Sequence, residues 1–432
     1  MKRILIFIAV LFVLAGLLLF VAGSMRYGGP DALLMRVRAE FMPSQPVHHP
    51  PLVPTPLPTP TPGRVVEALQ PTTIPTHPHP SPTPTHSTEP SILPTELTPT
   101  VIATPTPIPH HQPVGEQAEL AGLTHYWQTW NNCGPATLAM QLSYYGSTMS
   151  QEAIRQALRP NREDKNVSPS ELAEFARLHG YNALVRVNGD PDRLKLFLSN
   201  GIPVLIETWL VPEPNDGMGH YRLLTGYDDE SQMWIAYDSF ISTGVDPNQP
   251  YRGIRLPYAE VDRFWPVFNH THVLIYTDEQ AELVESILGE DDDAVAMWQR
   301  AQAKAKASVS EAPGDAFGWF NLGTDFAALG RFEEAVKAYD QARVLGLPWR
   351  MMWYQFGPFH AYYEVGRYDE VLALANATLA TTTHVEELHY WRGLALYTAN
   401  DVSAAREALE RALKLNPNYK DAAAALESIQ NR

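Results

Sequence analysis

The chain has 432 residues, with 32 Lys+Arg against 48 Asp+Glu, a formal net charge of −16 and 45% hydrophobic residues. At roughly 150 residues per domain that length holds two or three domains. The acidic balance argues against a nucleic-acid-binding surface spread over the protein, and the apolar content against wholesale disorder. A single cysteine, Cys133, excludes an internal disulfide and a Cys-based zinc cluster, so any chemistry at sulfur has one address.

Met1, Lys2 and Arg3 precede an unbroken apolar run, ILIFIAVLFVLAGLLLFVA, at 4–22. As a helix it would be roughly 29 Å long, about the thickness of a bilayer's hydrocarbon core. The basic residues ahead of it favour a cytoplasmic N-terminal side. The run is longer than a typical signal h-region, which favours a membrane anchor. A secreted form cleaved near Ala22, Gly23 and Ser24 is the alternative. No cysteine follows the run to carry a lipid. Residues 1–26 are therefore expected to be a signal anchor or transmembrane helix, making a single-pass cell-membrane protein whose C-terminal domains are extracytoplasmic.

Residues 27–115 read as a disordered Pro/Thr-rich stalk. More than half of the 38 prolines lie between Pro43 and Pro113, in stretches such as VPTPLPTPTPG. Proline removes a backbone donor and fixes φ, so semi-extended polyproline II replaces helix and sheet here. The stalk histidines are expected to be solvated linker residues, since no fold holds them.

Residues 116–278 change to a mixed pattern, helices first and an antiparallel sheet after, which fits α+β. Cys133-Gly134-Pro135 opens a segment in which Leu138, Leu142 and Tyr145 share one face of an expected amphipathic helix. Pro135 suits a first helical turn, placing Cys133 at or just before the helix N-terminus, where the dipole favours a thiolate. Helices are expected at 150–158, 168–179 and 190–199, and strands at 202–208, 220–228, 232–238 and 271–277. Asp228 to Ser231 reads as a hairpin turn, which explains Asp228 and Asp229. Folding that hairpin about Asp229 and Glu230 sets His220 almost opposite Asp238, within cross-strand reach. His125, His270 and His272 are rival bases without an obvious carboxylate partner. Gln128 lies on the loop feeding the cysteine helix.

The segments WQTWNNCGPATLAMQLSYYG and GHYRLLTGYDD, with the later YDS, resemble exported cysteine peptidases of the bacteriocin-processing, double-glycine-leader type, which have a papain-like fold. The resemblance implies a nucleophile at Cys133, a base at His220, an orienting acid at Asp238 and an oxyanion-hole glutamine at Gln128. Transporter-linked members also carry membrane and ATPase domains. This chain has no Walker-type phosphate loop, which points away from leader processing and leaves no cofactor expected. Ser239 follows Asp238 where the family commonly has proline.

Asp291, Asp292 and Asp293 lack EF-hand spacing and read as acidic residues favoured by a helix dipole, so no metal site is expected. Residues 279–315 form a helical connector, with 294–310 a degenerate half-repeat. From Ala316 to Arg432 the sequence repeats itself. Trp319, Leu322, Gly323, Phe326, Gly330, Phe332, Ala335, Tyr339 and Ala342 stand at tetratricopeptide-repeat spacing. A second unit has Tyr362, Gly366, Tyr368, Val371 and Ala375 after a small insertion. A third has Gly393, Leu396, Ala405, Leu409, Ala412 and Pro417, before a capping helix from Asn418. The architecture expected is a papain-like α+β domain followed by an all-α repeat solenoid.

The function expected is that of a membrane-anchored extracytoplasmic cysteine peptidase acting on a peptide or protein, with repeats that bind a protein partner. The alternatives are a peptidase-like binding or scaffold module with little turnover, and a transglutaminase-like acyl transferase.

Overall fold

The computed structural model describes residues 113 and 115–430, apart from positions 214, 215, 244 and 247. The expected anchor and nearly all of the stalk lie outside the described residues. Among the described residues no helix is long and apolar enough to cross a membrane.

The first domain opens with strand β1 (Gln117–Glu119) and helices α1 (Cys133–Tyr144), α2 (Gln151–Leu158) and α3 (Pro169–Leu178). Strand β2 (Asn182–Arg186) and helix α4 (Pro191–Ser199) lead into strands β3 (Val204–Glu213), β4 (Asp216–Asp228), β5 (Met233–Asp238) and β6 (Ile254–Pro257). Helix α5 (Tyr258–Phe264), strand β7 (His272–Tyr276) and helix α6 (Ala281–Leu288) complete it. The helix starts follow from local chemistry. Ser150 caps α2, and Asp190 caps α4 ahead of Pro191. Ser168 and Glu171 form a reciprocal capping box around Pro169 of α3.

The strands form one antiparallel sheet in the order β2-β7-β3-β4-β5-β6, with β1 also on β4. Alternation along each strand gives the sheet two apolar faces. Leu205, Leu223, Tyr237 and Val273 pack under α1 and α3, while Ile206, Leu224, Ala236 and Leu274 pack under α4 and α6. The helix α1 differs from the amphipathic segment expected. Every residue from Gly134 to Ser143 is buried, and the polar side is satisfied inside the domain. Thr137 Oγ1 donates to the Tyr221 carbonyl at 3.3 Å and Gln141 Nε2 to the Pro203 carbonyl at 3.0 Å.

Helix α7 (Ala294–Glu311) buries Ala301 and Ala305, and Asp293 caps it by accepting from the Ala296 N–H at 2.8 Å. Three antiparallel helix pairs follow: α8 (Ala316–Ala328) with α9 (Phe332–Leu345), α10 (Gly357–Glu364) with α11 (Tyr368–Leu379), and α12 (Glu386–Thr398) with α13 (Val402–Leu415). Helix α14 (Lys420–Gln430) ends the described chain. Small residues set the close approaches: a Cβ at Gly323 would stand 2.7 Å from the Tyr339 ring, and one at Gly393 2.8 Å from Leu409.

The two domains are packed together. Trp209, Val267 and Phe268 of the sheet domain belong to the repeat core. Asn269 Nδ2 reaches Asp325 Oδ1 at 2.6 Å, Asn321 Nδ2 the Pro266 carbonyl at 2.7 Å, and Asn166 Nδ2 Glu387 Oε1 at 3.0 Å. The first helices of units one and three thus face the sheet domain.

Candidate active site

Cys133 is the first residue of α1, and its N-cap, Asn132, makes no side-chain bond to the helix. The first N–H groups of the helix therefore stay open for another acceptor. Asn132 is used sideways instead: its Nδ2 donates to Gln151 Oε1 at 2.7 Å and its Oδ1 accepts from Arg159 Nη2 at 3.2 Å. Gln151 also accepts from the Thr129 N–H at 3.0 Å and donates to the Trp127 carbonyl at 2.7 Å. Arg159 donates to the Trp130 carbonyl at 2.9 Å. These two side chains pin the loop that carries Gln128 into α1. Asn131 absorbs the sharp bend with φ 53°, a conformation asparagine tolerates.

Strand β4 outruns β5. Their pairing ends at Arg222 opposite Asp238, so β5 leaves the edge of β4 open from Tyr221 backwards. Cys133 faces that edge, near enough for the His220 side chain and the Tyr221 backbone to favour its thiolate. Cys133 is half-buried.

His220 Nε2 lies 3.1 Å from both Asp238 carboxylate oxygens, leaving Nδ1 as the nitrogen for sulfur. Asp238 is fully buried, and its Oδ1 also accepts the Phe240 and Ile241 N–H groups at 2.7 Å. Arg222 Nε donates to Oδ2 at 3.1 Å. Burial opposes ionisation of Asp238, but the charges of His220 and Arg222 and the Ile241 N–H hold it well below the usual carboxylate range. Burial likewise works against a charged His220, but Asp238 and Cys133 push it up to about 9. At Cys133 burial raises the thiol, while His220, the Tyr221 N–H and the more distant Arg159 charge outweigh it and lower the pKa. All three shifts favour a thiolate–imidazolium pair.

The register differs from the hairpin expected. Arg222, not His220, stands directly opposite Asp238, and His220 reaches the carboxylate diagonally from the same sheet face. The cause is a longer turn, with Gln232 at φ 56°, and a bulge between Leu224 and Gly226.

Gln128 is buried beside this group. Its N–H donates to the Ser239 carbonyl at 2.9 Å, and its Oε1 accepts from Ser239 Oγ at 2.8 Å. With the oxygen thus engaged, the amide nitrogen Nε2 is the end left for an acceptor. Two consecutive residues, Asp238 and Ser239, therefore orient the imidazole and the amide.

The rival groups lie elsewhere. His270 and His272 are held at about 3 and about 4, mainly by burial, and neither is among the groups acting on Cys133. His125 Nε2 contacts the Asp238 backbone carbonyl at 2.8 Å and its ring stacks on Tyr251. His125, Trp127, Asp246 and Tyr251 line an open pocket of about 120 Å³ there. Asp228 and Asp229 are occupied at the turn, by the Ser231 N–H and by Tyr258 and Lys195. Among the described residues no group of three or more His, Cys, Asp or Glu is placed to hold a metal.

Four residues that touch the site's side chains or feel the Cys133 charge were not picked out from the sequence for a part in the site: Arg222, Ser239, Glu207 and Tyr354. Arg222 was within reach of the alternation argument, being two positions from His220 on the same strand. Ser239 is adjacent to Asp238, but nothing in the sequence connects it to Gln128. Glu207 comes from β3, opposite Tyr221, and Tyr354 from the inter-repeat insertion that lies over Gly219; both placements are a matter of tertiary packing.

Residues 116–269 match the Peptidase_C39 like family and residues 386–419 the tetratricopeptide repeat. The chain thus carries a domain of that peptidase-like type followed by repeats. Of the curated proteins none matches this chain. Among solved structures, a C39-like peptidase from Bacillus anthracis is 17% identical, covering 38% of this chain and 98% of that one, with a TM-score of 0.30. MamA from Desulfovibrio magneticus is 19% identical over 31% of this chain and 85% of its own, with a TM-score of 0.26.

Proposed function

We propose that the protein is a cysteine peptidase in which Cys133 is the nucleophile, His220 the base and acid, Asp238 the orienting carboxylate and Gln128 an oxyanion donor. The observation that carries this reading is the buried Asp238–His220 pair, 3.1 Å apart at the open edge of β4, with Cys133 at the start of α1 under the influence of that imidazole. A neutral histidine would have to take the thiol proton during the reaction. Here the shifted acidities favour its transfer beforehand, so the resting nucleophile is a thiolate.

The thiolate attacks the carbonyl carbon of a peptide bond. The developing oxyanion is met by the open backbone N–H of Cys133 and by Nε2 of Gln128, each such donor being worth about 10²–10³ in rate. The Nδ1 proton of His220 passes to the leaving amine, the C–N bond breaks and an acyl-enzyme remains. Water, giving its proton back to His220, then releases the acid. Asp238 keeps Nε2 protonated and the ring aimed throughout.

In this reading residues 4–22 anchor the protein in the membrane, and the peptidase and repeats stand outside the cytoplasm at the end of the Pro/Thr-rich stalk. The repeats bind protein, either the body of a substrate or a separate partner. The test is cleavage of a peptide library by the purified chain. Cleavage by the wild type that disappears in a folded Cys133→Ala variant supports the reading. Cleavage unaffected by that substitution, or none by the wild type, overturns it.

A further inference from the structure

Glu207 lies on β3 opposite Tyr221, one position from the Thr208–His220 pair, and Trp209 stands opposite Gly219. Glu207 and Trp209 therefore share the sheet face of Tyr221, the face against which α1 brings Cys133. Glycines clear this face. The Trp209 ring lies so close to Gly217 that a Cβ there would stand 1.9 Å from its Nε1, and the Tyr354 ring lies across Gly219, 3.3 Å from where its Cβ would be.

Tyr354 comes from the repeat domain, on the insertion 346–356 between units one and two. The insertion is tied down by Arg350, whose Nη1 donates to the Gly217 carbonyl at 3.3 Å, and by the edge-on contact of Tyr354 with Trp209. At the root of this wall sits the Glu207 carboxyl, on a residue only 4% exposed. No hydrogen bond to its carboxylate occurs among the described residues. A carboxyl so poorly hydrated and without a protein donor is stabilised by a cation that reaches it. Burial, and to a lesser degree the Cys133 charge, push the Glu207 carboxyl up to about 8, and Cys133 and Glu207 both act on Tyr354, so the three groups lie within electrostatic reach of one another.

We propose that Glu207 and Tyr354 form a subsite, next to the reacting sulfur, that receives a lysine or arginine side chain of the peptide substrate. The cation supplies the donor that Glu207 lacks, and the Tyr354 ring offers its face to the same charge. The repeat domain then supplies one wall of the substrate cleft. This inference rests on the peptidase reading above and deepens it.

The test uses the full chain and a panel of peptides ending in one thiol-reactive group and differing only in the residue next to it: lysine, leucine or glutamate. The rate of Cys133 modification is followed by mass spectrometry. Lysine is expected to exceed leucine about ten- to a hundred-fold, the range of one hydrogen bond to a charged group. That ratio should collapse towards one in Glu207→Gln and Glu207→Leu and shrink in Tyr354→Leu. Equal wild-type rates for lysine and leucine, or a ratio that survives Glu207→Gln, overturn the subsite while leaving the peptidase intact. If no peptide modifies Cys133 faster than the reactive group alone, the peptidase reading fails and the subsite falls with it.

Discussion

Replacing Ser239 by alanine isolates one contact of the site. Ser239 is fully buried and its Oγ donates to Gln128 Oε1 at 2.8 Å. The Gln128 backbone N–H also bonds the Ser239 carbonyl, and that bond survives the substitution. The loss is therefore one neutral hydrogen bond that orients an amide, about 0.5–1.5 kcal/mol. If all of it falls on the transition state, kcat drops roughly two- to thirteen-fold, at 1.36 kcal/mol per decade. Removing the amide outright, Gln128→Ala, should cost about 10²–10³. Because Ser239 acts only through Gln128, the double variant should be no slower than Gln128→Ala alone. Single-turnover acylation with a peptide substrate, alongside KM, reads all three variants, with Ser239→Thr expected to recover most of the rate. Multiplying effects in the double variant, or a change in KM without one in kcat, would refute the argument.

The raised His220 predicts that kcat/KM falls on the alkaline side near pH 9, where the imidazolium proton needed by the leaving amine is lost; the pH–rate profile checks it. Since the Asp238 charge raises His220, Asp238→Asn should move that limb to lower pH as well as lower the rate. At the domain interface Glu386 is pushed up to about 7 by burial, with Glu171 adding to the shift and Asn416 resisting it. Its folded pKa exceeds the unfolded value of about 4.3, so its contribution is whole below that value and is lost as pH rises through about 7. The thermal midpoint of Glu386→Gln should therefore gain on the wild type between pH 5 and pH 8, and a gap independent of pH would contradict this. In Gly217→Ala the new Cβ would lie 1.9 Å from Trp209 Nε1, so overpacking should cost about 1–3 kcal/mol in a denaturant melt.

What the sequence revealed follows the range of the forces involved. Pro135 and Gly146 mark the ends of the cysteine helix through local backbone chemistry, and the repeat spacing marks α8 to α13 in the same way. The closeness of His220 and Asp238 was legible because strand alternation is local; the exact register was not, because Gln232 and the bulge after Leu224 depend on pairing with neighbours. Short strands β1, β2 and β6 carry too few residues to show a period, and they form because β4, β7 and β5 offer them an edge. That α1 is buried on every side depends on α3 and the sheet closing over Thr137 and Gln141, which no periodicity within α1 records. Tyr354 was legible only as part of an insertion. Its place across Gly219 and Trp209 is set by the docking of two domains.

The thiolate–imidazolium pair is the core of the account, and the chain's single cysteine makes it directly measurable. The rate of Cys133 alkylation by iodoacetamide should already be substantial well below pH 8.5, the range of an ordinary thiol, and His220→Ala should return the inflection to about that value. A wild-type profile with one inflection near 8.5, unchanged by His220→Ala, would mean that the sulfur and the ring do not share a proton.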